Sequence, residues 1–142
     1  MDARPESDAE RSEALGERLA SFAGRCLALL EALPRGRVGV ANFRDQLSRS
    51  ATAVAANYAE ACAPESRRDF ASKMAKALKE AKESRTWLFM ISQRGFFSEE
   101  RTKPLLDEAN AIARILGKGV STTRRRIATG CDDTNPMDKD GQ

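Results

Sequence analysis

Between positions 15 and 33 the apolar residues Leu15, Leu19, Phe22, Cys26, Leu29 and Leu33 recur at alternating steps of four and three. That rhythm holds one seam on a helix of about 3.6 residues per turn; a half-buried strand would alternate every second residue instead. The rhythm returns three times: in Phe43, Leu47, Ser50, Val54, Asn57 and Ala61, in Phe70, Met74, Ala77, Ala81, Ser84, Leu88 and Ile91, and in Leu105, Ala109, Ile112 and Leu116, with Val120 in phase. Four such seams joined by short breaks predict an all-α chain, an antiparallel up-down-up-down four-helix bundle. The expected helices run over about 13–33, 40–62, 66–94 and 102–127, with an acidic tail at 1–12 and another, taken as disordered, at 129–142.

The breaks have local causes. Pro34 restricts the residue before it, and Gly36 and Gly39 permit a turn. Ser66-Arg67-Arg68-Asp69 resembles a capping box with Asp in place of the usual Glu or Gln. Because proline deep in a helix removes a hydrogen bond, Thr102 is expected as the cap of the fourth helix, with Pro104 in its first turn. The pairs Asp69–Lys73, Lys76–Glu80 and Lys79–Glu83 lie four apart and are expected to bridge along a solvated face.

The second helix is unusual. Positions 51–59 carry no charge and are mostly alanine, so Ala53 and Ala56 are expected against a second subunit rather than water. Trp87, Phe89 and Met90 fall outside the narrow seam of the third helix, and Phe96 and Phe97 follow Gly95. This apolar girdle fits either an interface or padding at the end of the core. The interface candidates are therefore Ala53, Ala56, Asn57, Glu60, Trp87 and Met90.

Composition narrows the chemistry. The chain of 142 residues contains no histidine, which removes His-dependent triads and most zinc and iron sites. Cys26, Cys62 and Cys131 are widely spaced and expected as free thiols of a reducing compartment. The first residues, Met1-Asp2-Ala3-Arg4-Pro5-Glu6, lack the apolar core of a signal peptide, and no run approaches the roughly 18 apolar residues of a membrane span. A cytoplasmic protein with no membrane contact is expected. Glu60 is the one acidic group in the apolar stretch of the second helix, open to two readings: a buried base of raised pKa, or an ion-paired structural group. Asn57 is read as a register-setting polar residue. No catalytic residue, metal or cofactor is expected, and the chain is not expected to be an enzyme.

Charge is unevenly placed. Residues 1–14 hold two basic against five acidic side chains and residues 131–142 hold one against four, leaving 21 against 12 between them. A basic body with acidic tails suits an anionic partner, RNA or DNA. Arg67 and Arg68 begin the third helix and Arg124, Arg125 and Arg126 end the fourth, so a bundle would place all five at one end. The alternative is that they solubilise the chain and complement a helix C-terminus.

Several stretches together resemble one bacterial family: Leu33-Pro34, the run from Phe43 through Gln46-Leu47-Ser48-Arg49-Ser50-Ala51, and Asn57-Tyr58-Ala59-Glu60-Ala61. Ser66-Arg67-Arg68-Asp69-Phe70 and the segment from Ala77 to Leu88 extend the likeness, which covers about residues 15–127. The family is the four-helix-bundle proteins first noticed as reading frames inside intervening sequences of 23S ribosomal RNA genes, with relatives that act as accessory proteins of diversity-generating retroelements. The resemblance implies a homopentamer without known catalytic activity. For the retroelement relatives it implies association with a reverse transcriptase and with nucleic acid through a basic surface. The chain departs from the pattern at Ala61-Cys62, where many members carry glycine.

Overall fold

The structure, a computed structural model, describes residues 4–130. It contains four helices, α1 (Asp8–Glu31), α2 (Val40–Ala61), α3 (Arg67–Gln93) and α4 (Glu99–Ala128), and no strand among the described residues. α2 packs on α3, α3 on α4 and α1 on α2, while α1 touches α4 sparingly. Contacts fix the directions. Ser12 meets Tyr58 and Leu33 meets Arg44, Glu60 meets Lys73 and Ser50 meets Ser84, and Leu78 faces Gly117 while Arg85 bonds Asn110. Each neighbour therefore runs antiparallel to the one before it.

The seams form the core. Leu19, Phe22, Leu47, Leu88, Ile91, Ile112 and Leu116 are fully buried, each contributing about 1.5–3 kcal/mol of transfer free energy. One polar pair lies among them: Ser84 donates to the Ser50 hydroxyl at 2.9 Å, and neither residue is exposed. Two seams shift at one position. Tyr58 rather than Asn57 is buried in α2, and Phe70 is only half-buried while Ala71 is buried in α3. Asn57 does not reach a neighbouring helix; its side-chain amide donates to Ala53 O one turn back.

Helix ends correct the sequence expectation in three places. α1 begins at Asp8, inside the supposed tail, because Ser7 and Glu10 form a reciprocal capping box: the Glu10 N–H donates to Ser7 Oγ at 3.2 Å, and the Ser7 N–H to the Glu10 carboxylate at 2.7 Å. At α3 the Asp69 N–H donates to Ser66 Oγ, but the shorter Asp69 side chain accepts from Glu65 N rather than closing the box on Ser66. α4 begins at Glu99, with Ser98 as its cap position and Pro104 inside the helix. Thr102 is the fourth residue of the helix, buried at the close of its first turn rather than capping it. Pro104 and Glu100 are both exposed, so water can serve the Glu100 carbonyl that proline leaves unpaired. α4 also continues through Gly117 and Gly119 to Ala128. Gly119 lies where α3 comes close; a Cβ there would stand 2.9 Å from Met74 Cε. The expected C-terminal tail lies largely outside the described residues.

Candidate functional site

The lysines of α3 do not form the ion pairs their spacing implies. Arg49 of α2 reaches across to Glu80 at 3.4 Å and also binds Glu83. The Arg49 hydrogen bond, aided by Trp87 Nε1, holds the Glu83 carboxyl below its ordinary range against the opposing effect of burial. Lys73 likewise turns from Asp69 to Glu60, at 2.9 Å, and that contact raises the lysine's pKa. The acids of α3 are thus drawn toward α2. Lys76, Lys79 and Lys82 are left without an ion pair among the described residues.

These lysines border a groove between α3 and α4. One part, about 620 Å³, is lined by Arg68, Ser72, Lys76, Lys79, Arg124 and Ile127 with alanines at its floor; a smaller part, about 280 Å³, continues past Leu78, Lys82 and Val120. No acidic residue among the described residues lines either part. From Ala109 to its end at Ala128, α4 carries Arg114, Lys118 and Arg124–Arg126 and not one carboxylate. Of the five arginines singled out from the sequence, the structure brings Arg68 and Arg124 into this groove. Arg125 and Arg126 are exposed on the same turn but do not line it, since successive helical residues diverge by about 100°. Arg67 is half-buried and also lies off the groove. Sequence reasoning missed the three lysines, although their spacing of three was the available signal; their acidic neighbours masked it.

The six interface candidates do not form one patch on a single protomer. Ala53 and Asn57 are half-buried, Ala56 is exposed, and Glu60 is exposed and paired with Lys73. Glu60 is therefore the ion-paired group of the two readings, not a buried base. Trp87 sits at the other end of α2, edge-on to Phe43 with ring centroids 6.3 Å apart. The girdle divides: Trp87, Phe96 and Phe97 pack on the core, while Phe89 and Met90 remain 55% and 42% exposed. Phe96 lies beneath the guanidinium groups of Arg37 and Arg94, and Phe97 beneath Arg101. Ala56 and Ala59 lie on the rim of a larger apolar groove, about 1120 Å³, that opens between α1 and α4 beside Leu15, Tyr58, Met74 and Ile115. No helix among the described residues is long and apolar enough to cross a membrane, and no cluster of three potential metal ligands occurs among them.

Four antiparallel helices, with a groove lined by cations between α3 and α4, define a helical-bundle protein. Residues 18–118 match the 23S rRNA-intervening sequence proteins, and the chain belongs to that family. It is also similar to a crystal structure of a protein with unknown function from the S23 ribosomal protein family of Bacteroides thetaiotaomicron, with 28% identity and a TM-score of 0.66 over 74% of this chain and 96% of that one. No curated protein matches the chain. Where many members carry glycine, Ala61 is fully buried, so a methyl group still fits that packing position.

Proposed function

We propose that this chain is a non-enzymatic, homo-oligomeric binding module that holds nucleic acid along the α3/α4 groove. The observation that carries the reading is the removal of Glu80 and Glu83 to Arg49, which leaves Lys76, Lys79 and Lys82 beside Arg68 and Arg124 on a groove that no carboxylate among the described residues lines. Cations arrayed in this way meet phosphates and release the counterions those phosphates hold, which favours binding at low salt and carries little sequence information.

Fluorescence anisotropy with labelled RNA and DNA of arbitrary sequence tests the reading. Dissociation constants on the order of micromolar are expected at low salt, rising steeply between about 50 and 200 mM. Absence of binding at tens of micromolar, on the order of the weakest non-specific affinities, would remove the nucleic-acid function. The oligomeric part rests on a separate observation. Thr52, Ala56 and Ala59 are exposed, uncharged and on α2, and Phe89 and Met90 are exposed on α3. A pentamer, the state implied by the family resemblance, would cover such surface. Light scattering on the full chain decides it: a protomer mass would refute assembly, and a dimer or tetramer would refute the number five.

A further inference from the structure

The reading of the groove as a nucleic-acid site leaves open whether the strand it takes is paired, and the lining of the groove bears on that question. Proteins that hold single strands place aromatic rings under successive bases and draw much of their affinity from that stacking. No ring lines the groove: between its cations lie Ala71, Ala75, Leu78, Val120 and Ile127. Of the rings of α3, Phe70 lines the separate apolar groove beside Leu15 and Tyr58, while Trp87 packs on Phe43 and Phe89 borders a further depression with Arg85 and Phe97 toward the other end of the helix. The cations are also arranged as a line. Lys76, Lys79 and Lys82 follow one another at steps of three along α3, with Arg68 at its start. At about 1.5 Å per residue, Arg68 to Lys82 spans roughly 21 Å of a rigid rod. A duplex holds its phosphates at fixed spacing, and because each strand winds once in about 34 Å, a straight row of this length meets the few phosphates on its own side of a rigid backbone. A flexible single strand would have to be straightened to match the row, with no stacking to offset the cost.

We infer that the groove receives the sugar–phosphate backbone of a double helix and disfavours unpaired strands. Anisotropy on the full chain would compare a labelled duplex of about 24 base pairs with an unstructured oligo(dT) of equal length, at about 50 mM salt. The duplex is expected to bind at least about tenfold tighter, with AT-rich and GC-rich duplexes within about threefold of each other. Lys76→Gln, Lys79→Gln and Lys82→Gln combined, all on a wet face, should weaken duplex binding about tenfold or more and reduce the salt slope by up to about three. Circular dichroism would establish that this variant is folded. Equal or tighter binding of oligo(dT) would overturn the inference while leaving a nucleic-acid module. Binding of neither would overturn both readings, and a triple lysine variant that binds the duplex like the parent would place the site elsewhere.

Discussion

Arg44 does for α1 what α1 cannot do for itself. The last turn of α1 contains no basic residue, yet Arg44 of α2 donates through Nη2 to Leu33 O at 2.6 Å and through Nε to Leu30 O at 3.3 Å. A guanidinium suits this role because its donors are held in a fixed fork, and its charge opposes the negative end of the helix. Arg44→Ala should lower stability by about 1–2 kcal/mol in urea unfolding, and Arg44→Lys should recover only part of it. Cys26 has the opposite character. It is fully buried, and burial pushes its thiol up to about 12. In a Cys131→Ser background a maleimide should label exposed Cys62 quickly and Cys26 only after denaturation, as read by mass spectrometry. Single residues were the least legible part of the sequence. Ser50 and Ser84 stood in their seams from the start, but that each satisfied the other required knowing which helices face. Asn57 had the sequence profile of a register residue and instead bonds its own helix.

At the scale of elements, the sparse contact between α1 and α4 includes a two-pronged ion pair. Arg18 donates to Glu108 through Nε at 3.0 Å and Nη2 at 2.6 Å. That hydrogen bond, more than the weaker attractions of Arg18 and Arg25, holds the Glu108 carboxyl below its ordinary 4.5 while burial opposes it. A carboxyl depressed in the folded state stabilises the fold above its unfolded pKa, and the contribution disappears as pH falls through the folded value. Because the Arg18 side chain is 43% exposed and solvent screens the pair, the effect is about 1 kcal/mol or less. Glu108→Gln should therefore unfold at lower urea than the parent at pH 7, with the difference closing below about pH 4. The existence of four helices was legible because each seam repeats over several turns, and a repeating pattern averages out local exceptions. Their ends were less legible because a few atoms decide them. The Ser7–Glu10 box was visible as Ser-x-x-Glu but sat in a stretch whose charge suggested a tail, and Pro104 broke a general rule at an exposed turn. The groove was half legible: Arg68 and Arg124 could be placed together from helix direction, whereas the lysines depended on where Glu80 and Glu83 went.

For the whole molecule, the proposed assembly can be tested apart from folding because Ala56 is exposed on the protomer. Ala56→Glu should leave the helical content intact and lower the mass in light scattering, since an unpaired charge would have to be buried between subunits. A variant with parental mass and melting temperature would mean that this face of α2 stays wet. The opening beside Leu15, Tyr58 and Ile115 has a consequence of another kind. α2, α3 and α4 pack consecutively on one another, but α1 is held mainly by α2 and leaves about 1120 Å³ open on its α4 side. Fewer contacts tie α1 to the other three than tie those three to one another, so α1 is expected to open as a cooperative unit at lower free energy than global unfolding. Native-state hydrogen exchange should show the amides of α1 exchanging together through a sub-global opening, ahead of those in the middle of α3. In the language of exchange, that outcome would make the molecule a three-helix body with a fourth helix on a looser latch, fastened by the bonds of Arg18, Tyr58 and Arg44.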